Sequence, residues 1–239
     1  MIIRPTAEAA GAYVHDLMVS HLQQHPTTVL GLPTGATPLQ VYAKLVESYR
    51  QGRISWQSVT TFNLDEYCGL GAEHPASYAA YMRQVLFDHV DCPVEKRHVP
   101  NGLADDAERE AAAYEAAIAV AGGIDLMLLG LGRNGHIGFN EPGSSFASRT
   151  RQVELAPSTI AANRAFFANG EAPPAQAISM GIQTILDARR IVVLATGASK
   201  AEAVRASVSG PPTEEIPGSA LHLASNVSFV LDEAAASAL

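Results

Sequence analysis

The stretch Ile124-Asp125-Leu126-Met127-Leu128-Leu129 is an apolar run that stops at Gly130 and Gly132. A run of this length with glycines after it is typical of a strand buried on both faces, as in a parallel sheet. It lies between a helical pattern at 104–121 and an irregular, Gly- and Pro-containing stretch at 132–150. The sequence therefore predicts a central strand here, followed by a loop and not by a helix.

The same order of elements repeats on both sides of this strand. Apolar or β-branched runs predict further strands at 28–32, 59–64, 191–194 and 227–231. Helical periodicity predicts helices at 6–24, 37–50, 76–90, 104–121, 180–187 and 199–208. Alternating strands and helices favour parallel pairing with helices on both faces of one sheet. We therefore expect one α/β domain over residues 1–239, a three-layer α/β/α sandwich with a mainly parallel central sheet.

Composition excludes several classes of protein. Of the 239 residues, 47% are hydrophobic and 17% are charged, which excludes a disordered chain. The net charge of −8 argues against nucleic-acid partners, whose binding requires a basic face. No run reaches 18 apolar residues and no apolar signal segment follows Met1, so we expect no membrane span and a cytoplasmic protein. Cys68 and Cys92 are too few for a disulfide framework or a zinc site.

The loop Gly31-Leu32-Pro33-Thr34-Gly35-Ala36-Thr37-Pro38 joins a predicted strand to a predicted helix. Gly35 permits close backbone approach, and Thr37 with Pro38 suits the N-cap and N1 positions. Free N–H groups at the helix start, with two threonine hydroxyls, can bind an anion. No Gly-Lys-Ser/Thr follows, so this is not a Walker A loop. The loop predicts a phosphate site, and an ordinary βα turn stays open as the alternative.

Two adjacent carboxylates, Asp65 and Glu66, end the apolar run at 59–64. Desolvation at the end of a buried strand raises the pKa of a carboxyl toward the range that suits a general base. Taken alone, the pair is better explained as a helix cap or as solvated loop acids.

The loop after the central strand contains a G-x-G-x-x-G pattern, formed by Gly130, Gly132 and Gly135. A dinucleotide site requires a helix after this pattern, and the loop that follows is too rich in glycine and proline for one, so we reject NAD binding. His136 and Glu141 are better interpreted as a proton-transfer pair in which the carboxylate orients the imidazole. A metal site is a weaker interpretation, because no third His or Cys lies nearby.

Lys200 follows the predicted strand at 191–194, at the start of a predicted helix. A lysine in this position can pair with a phosphate group. The alternative is a solvated surface lysine, which is the commoner environment of this residue type.

Together these motifs resemble the glucosamine-6-phosphate deaminase family, also called glucosamine-6-phosphate isomerase. The matching segments are Gly31–Pro38, Thr61–Tyr67, Glu73–Tyr78, Gly135–Pro142, Ser148–Arg151 and Lys200. The resemblance implies a modified Rossmann-type α/β sandwich that converts glucosamine 6-phosphate and water to fructose 6-phosphate and ammonia. It implies no cofactor and no metal.

The resemblance also implies a role for each matching side chain. Asp65 takes the C2 proton, and His136 opens the pyranose ring. Asn134 and Glu141 orient the His136 imidazole. The 6-phosphate is expected to contact residues of the first loop and two basic side chains: Thr34, Gly35, Ala36, Thr37, Lys200 and Arg164.

Three departures from the family pattern change these expectations. Some members carry Asp in place of Asn134, and an amide cannot compensate positive charge on His136. The family places an Arg directly before an aromatic pair, whereas here Ala165 separates Arg164 from that pair, so the loop is shifted or this contact is lost. Allosteric members have a basic residue where this chain has Val153, and a longer C-terminal tail, so we expect no activation by N-acetylglucosamine 6-phosphate.

Two other functions stay open at this point. A 6-phosphogluconolactonase shares the fold but needs no C2 base, so the segments Asn63–Tyr67 and Phe139–Pro142 count against it. Sugar-phosphate sensors that reuse the fold carry a DNA-binding domain, for which this acidic chain leaves no residues, so the second open function is a free-standing, non-catalytic sugar-phosphate-binding protein. The sequence leaves open whether the chain forms a homo-oligomer.

Overall fold

The computed structural model describes residues 1–164, 167 and 171–239. The strands in the described residues are β1 (Ile2–Arg4), β2 (Val29–Leu32), β3 (Thr60–Asn63), β4 (Asp65–Tyr67), β5 (Arg97–His98), β6 (Leu126–Gly130), β7 (Arg151–Glu154), β8 (Gln176–Ser179), β9 (Ile191–Ala195) and β10 (Val227–Asp232). Seven of them form the central sheet in the order β1-β10-β9-β6-β2-β3-β5, and every neighbouring pair is parallel. The predicted parallel sheet, with the run at 124–129 in its middle, is confirmed.

The helices of the described residues are α1 (Ala7–Gln24), α2 (Leu39–Arg50), α3 (Tyr78–Val85), α4 (Ala107–Val120), α5 (Pro157–Asn163), α6 (Ile182–Leu186) and α7 (Ala201–Ser209). Short 3₁₀ turns lie at Phe87–His89, Val94–Lys96, Ala198–Lys200 and Pro217–Leu223. None of the helices described here is both long and apolar enough to cross a bilayer.

The core consists of two apolar layers, one on each face of the central sheet. Successive strand residues point to opposite faces, so Leu128 packs with α1 and α2 while Leu129 packs with α4 and α7. Strand β9 divides in the same way, with Val192 in the first layer and Val193 in the second. Burial on both faces is what makes these strands continuous apolar runs, and it confirms the three-layer sandwich.

The predicted strand at 59–64 is divided between two sheets. β3 ends at Asn63, and after Leu64 the chain enters β4, which pairs antiparallel with β8 so that Asp65 lies opposite Ser179. β8 also pairs antiparallel with β7, which completes a three-stranded sheet beside the central one. Asp65 therefore begins a strand of the small sheet, and does not end a strand of the large one as the sequence suggested.

Residues 131–150 contain no helix and no extended strand, as predicted. The loop runs from the end of β6 to the start of β7 and so connects the two sheets. No helix follows the glycines of this loop, whereas a dinucleotide-binding fingerprint opens a helix.

Candidate active site

The loops that follow β2, β3, β6 and β9 lie at one edge of the central sheet. These four strands are parallel neighbours, so their carboxyl ends meet there. The phosphate loop at 31–38, Asp65, the loop at 131–150 and Lys200 follow these four ends in turn. This edge is where ligands bind in open α/β sheets.

The carbonyl groups of the phosphate loop are held by side chains from neighbouring elements. The Asn63 amide donates to the carbonyl of Leu32 at 3.0 Å, and the hydroxyls of Tyr42 and Tyr81 donate to those of Pro33 and Gly35 at 2.6 Å each. Within the described part of the chain, the N–H groups of residues 34–37 have no acceptor. The loop therefore presents free donors, as an anion site requires.

Gly35 has a φ of +95°, and no atom lies within 4 Å of the position that a Cβ would take there. The open space at Gly35 lets a ligand approach the backbone closely. Helix α2 begins at Leu39 with Pro38 at the N-cap and no side-chain cap. The predicted N-cap at Thr37 is therefore wrong, because residues 37–38 form a turn ahead of the helix.

The loop after β6 brings Asn134, His136 and Glu141 together. The Asn134 amide donates to Glu141 Oε2 at 2.6 Å, and His136 Nδ1 lies 3.5 Å from the same oxygen. The Asn134 Oδ1 atom also accepts the backbone N–H of His136 at 3.3 Å. The buried Nδ1 atom forms no hydrogen bond within the described residues, so its 3.5 Å contact with Glu141 is an ion-pair distance, and Glu141 is the carboxylate in reach of the imidazole.

The two adjacent carboxyls, Asp65 and Glu66, have different surroundings. Glu66 accepts backbone N–H groups from Tyr67, Tyr78 and Ala79, each at 2.9 Å, and so caps the start of α3. No hydrogen bond to the Asp65 carboxyl is found within residues 1–164, 167 and 171–239. The helix-cap interpretation is therefore right for Glu66, and Asp65 is the carboxyl left without a donor.

The loop that carries His136 passes directly over Asp65. A Cβ placed on Gly138 would lie 3.5 Å from Asp65 Oδ2, and Gly138 is two residues after His136. Burial, together with the smaller effect of the negative charge on Glu66, raises the pKa of the Asp65 carboxyl to about 8. The structure thus places a carboxyl that titrates near neutral pH beside the histidine loop.

Glu141 is shifted in the opposite direction from Asp65. Burial alone would raise the pKa of the Glu141 carboxyl, but the contact with His136 and the hydrogen bonds from Thr159 and Asn134 outweigh burial and lower the pKa to about 2. One site therefore contains a carboxyl that is protonated near neutral pH and another that stays ionised down to about pH 2. Separation of two carboxyl pKa values in this way is typical of paired acid–base groups.

Lys200 lies at the end of the 3₁₀ turn after β9, half-buried and close to Arg133. Burial lowers the pKa of its ammonium group, and the positive charge of Arg133 adds to this effect. No carboxylate of the described residues lies within 4 Å of Lys200. A bound anion would raise the pKa of Lys200 again, because a nearby negative charge stabilises the protonated ammonium group.

A profile of the family described as glucosamine-6-phosphate isomerases/6-phosphogluconolactonase matches residues 4–230. The chain belongs to this family. Proteins named glucosamine-6-phosphate deaminase from Rhodopirellula baltica and Shewanella loihica are 54% and 50% identical to it. The aligned regions cover 99% and 100% of this chain and 94% and 89% of those proteins.

Solved structures include both similar and distant relatives of this chain. A structure described as a monomeric glucosamine-6-phosphate deaminase is 44% identical, with a TM-score of 0.96, and covers 100% of both chains. The 6-phosphogluconolactonase of Trypanosoma cruzi is 21% identical, with a TM-score of 0.80 over 100% of this chain and 96% of that one. This second likeness shows the fold alone, which both branches of the isomerase/lactonase family share.

The structure brings most of the predicted site residues to the same edge of the family fold. Thr34, Gly35 and Thr37 are half-buried there, and Ala36 is exposed. Arg164 is exposed at the C-cap of α5. The two alternatives for this loop, a one-residue shift or loss of the phosphate contact, concern Ala165 and Phe166, which lie outside the described residues. Val153 lies in β7 and packs against the apolar cluster that contains Tyr67.

Sequence patterns did not point to two further side chains at this edge of the isomerase/lactonase fold. The Tyr78 hydroxyl contacts Thr34 and donates to the Tyr67 hydroxyl at 3.3 Å, while burial and the charge of Asp65 raise its pKa. Thr159, on α5, donates its hydroxyl to Glu141 Oε1. Tyr78 is the last residue of the family motif at 73–78, so the motif offered a signal for it as a site residue. Nothing in the sequence connects Thr159 with Glu141.

Proposed function

We propose that the protein is a glucosamine-6-phosphate deaminase, which converts glucosamine 6-phosphate and water to fructose 6-phosphate and ammonia. The observation that carries this proposal is the Asp65 carboxyl, buried without a donor next to the His136 loop, with its pKa raised to about 8. A lactone hydrolase needs no base at C2, so this carboxyl favours the deaminase branch. The 44–54% identity to proteins named as deaminases supports the same choice.

The substrate enters as a closed ring with a phosphate at C6. In our proposal the N–H groups of residues 34–37 and the Lys200 ammonium bind the phosphate, which positions the sugar against Asp65 and His136. Phosphate binding by free backbone N–H groups and one cation fixes orientation without needing a metal. Arg164 is the second cation that we assign to this group.

Ring opening is the first chemical step of the proposal. His136 transfers a proton between the C1 hydroxyl and the ring oxygen, and the ionised Glu141 stabilises the imidazolium that forms. Asn134 keeps Glu141 in place but supplies no charge. Opening must come first, because only the open-chain aldehyde acidifies the hydrogen at C2.

Proton transfer from C2 is the second step. Asp65 removes this proton as a general base, and a proton returned to C1 leaves an imine at C2. Addition of water to the imine releases ammonia and leaves the ketone of fructose 6-phosphate. A carboxyl with its pKa raised to about 8 is a much stronger base than an ordinary aspartate, which suits this step.

The proposed setting is one domain over residues 1–239, in the cytoplasm. The two cysteines are free thiols, which fits a reducing compartment. The similar structure described as a monomeric deaminase supports action by a single chain, since all of the proposed catalytic side chains belong to one chain. A homo-oligomer stays a prediction that sedimentation would test.

The proposal is tested by incubating the purified protein with glucosamine 6-phosphate and measuring ammonia and fructose 6-phosphate in parallel. We expect the two products in a one-to-one ratio, and no comparable hydrolysis of 6-phosphogluconolactone. Hydrolysis of the lactone without ammonia from the amino sugar would assign the chain to the other branch. Tight binding of the sugar phosphate without turnover would instead indicate a non-catalytic sugar-phosphate-binding protein.

The pH dependence of kcat/KM is expected to follow the ionisation of Asp65. Since the base must be ionised, activity should rise with pH and level off above about pH 8, where the Asp65 carboxyl has lost its proton. The measurement is kcat/KM from pH 5.5 to 9.5, corrected for titration of the substrate amine and phosphate. A profile that is already flat from pH 6 upward would show that no group with this pKa is required.

Lys200→Ala is expected to raise KM strongly. A charge-assisted contact contributes roughly 1.5–3 kcal/mol, which corresponds to about 10- to 150-fold. Lys96→Ala is the matched control, because Lys96 lies at the amino end of β5, at the opposite edge of the sheet. Arg164→Ala should have a smaller effect, and one as large as that at Lys200 would mean that the loop restores the family contact. An unchanged KM in the Lys200 variant would remove this lysine from the site.

A further inference from the structure

Thr159 is the residue through which helix α5 touches the proton-transfer pair. Its side chain is 8% exposed, and its hydroxyl bonds to Glu141 Oε1, while Asn134 and His136 occupy the side of Oε2. An ionised carboxylate has no proton to give, so the threonine hydroxyl is the donor. Each oxygen of Glu141 thus has its own protein donor, and Thr159 is the described one for Oε1.

The Thr159 hydroxyl has no part in building its own helix. α5 begins at Pro157, and its N-cap, Ala156, makes no side-chain cap. The backbone N–H of Thr159 bonds to the carbonyl of Ala156 at 2.9 Å, which leaves the hydroxyl free for Glu141. The same helix ends at Asn163 with Arg164 as its C-cap, so its first turn carries the contact to Glu141 and its C-cap is a cation that we assign to the phosphate.

We propose that Thr159 is a positioning residue of the deaminase reaction, which holds the Glu141 carboxylate against His136 and ties it to helix α5. This inference rests on the proposed function. His136 is the titratable side chain that faces Glu141 within 4 Å among the described residues. Asn134 and Thr159, the other contacts, do not titrate, and the charged residue of α5 is Arg164 at its C-cap.

Loss of the Thr159 hydroxyl would leave one buried oxygen of Glu141 without its donor. Without this hydrogen bond, burial raises the pKa of Glu141, so the carboxyl becomes easier to protonate. The carboxyl is also less well fixed beside the imidazole. A threonine that only fastened α5 would change the stability of the protein but not the ionisation of Glu141. The two roles are therefore separated by titrating this one carboxyl.

The test compares Thr159→Val, which keeps the branched shape without the hydroxyl, with Thr159→Ser, which keeps the hydroxyl. The side-chain carboxyls are labelled with ¹³C-glutamate and titrated by NMR, and the Glu141 signal is assigned with Glu141→Gln. In the unsubstituted protein and in Thr159→Ser, Glu141 should stay ionised down to about pH 2. In Thr159→Val its titration should move up by roughly one to two pH units, the equivalent of one charge-assisted hydrogen bond.

Turnover should change in the same series. We expect kcat to fall about 10- to 100-fold in Thr159→Val with little change in KM, since a misplaced catalytic group slows chemistry more than binding. Thr159→Ser should restore kcat, and Ser158→Ala, at the exposed neighbouring hydroxyl, should match the unsubstituted protein. If Thr159→Val does not fold, Thr159→Ala removes the same hydroxyl and takes its place.

An unchanged Glu141 titration in folded Thr159→Val or Thr159→Ala would overturn the inference. A kcat in Thr159→Ser as low as that in Thr159→Val would overturn it as well. The titration needs no turnover, so it tests the contact even if the unsubstituted protein releases no ammonia. Absence of ammonia would instead contradict the proposed function, and the two failures are therefore distinguishable.

Discussion

Asp65→Asn should lower ammonia release from glucosamine 6-phosphate by roughly 10²–10⁴-fold or more, the range for loss of a general base. The amide keeps the shape of the carboxyl but cannot accept the C2 proton. Binding of the sugar phosphate should persist, because the phosphate loop and Lys200 are untouched. The measurement is kcat beside an equilibrium dissociation constant for fructose 6-phosphate, and a variant that retains most of its kcat would contradict the assignment.

The same substitution should make the protein more stable at high pH. The folded-state pKa of Asp65 is about 8, against an ordinary value of 3.8, so the folded state holds the proton more tightly than the unfolded state does. Stability is therefore lost as pH rises from about 4 to 8, by roughly 1.4 kcal/mol for each pKa unit of difference. Asn carries no such penalty, so the gain in Tm over the unsubstituted protein should be large at pH 9 and small at pH 5.

His136→Gln is expected to abolish most turnover of glucosamine 6-phosphate for a different reason, the loss of ring opening. General acid–base catalysis by one group contributes about 10²–10⁴-fold, so kcat should fall within this range. The damage should shrink with a substrate whose open chain forms more readily. Fructose 6-phosphate with ammonium is such a substrate, and exchange of its C1 hydrogen with deuterated water reports proton transfer directly.

Hydrogen exchange at C1 separates the two roles within one assay. Exchange should persist in the His136 variant and vanish in the Asp65 variant, because only Asp65 moves the carbon-bound proton. Equal loss in both variants would contradict this division, and so would retention of exchange in the Asp65 variant alone.

The central sheet was predictable because its strands are buried on both faces. Burial forces runs such as Ile191–Leu194 to be continuously apolar, and this signal needs no knowledge of partners. β7 carried no comparable signal, since its residues Arg151–Glu154 are half-buried or exposed and three of the four are polar. It becomes a strand because β8 lies alongside to pair with it.

The break between β3 and β4 could not be predicted from local sequence. Phe62 and Leu64 are both buried and apolar, so the run shows no change in pattern at the point where the chain leaves one sheet for another. The change is imposed by β8, whose Ser179 lies opposite Asp65. For this reason the sequence pointed to Asp65 as a candidate base but assigned it to the wrong strand.

The candidate site was predictable as far as its residues lie in motifs at strand ends. Asn134, His136 and Glu141 lie within eight residues of one another, and the structure joins them through contacts of 2.6 Å and 3.5 Å. Thr159 lies eighteen residues beyond Glu141, on a helix without a distinctive pattern. This contact depends on the path of the chain through β7, which brings α5 back to the loop at 131–150. No local sequence pattern predicts that path.

Removal of the C2 hydrogen is tested most directly with glucosamine 6-phosphate that carries deuterium at C2. The account predicts fructose 6-phosphate with its deuterium at C1 or lost to water, and this transfer should stop in Asp65→Asn. Ammonia released together with an aldose phosphate that keeps the deuterium at C2 would mean that the amine is displaced without proton abstraction. That result would contradict the role of Asp65 and the deaminase mechanism built on it.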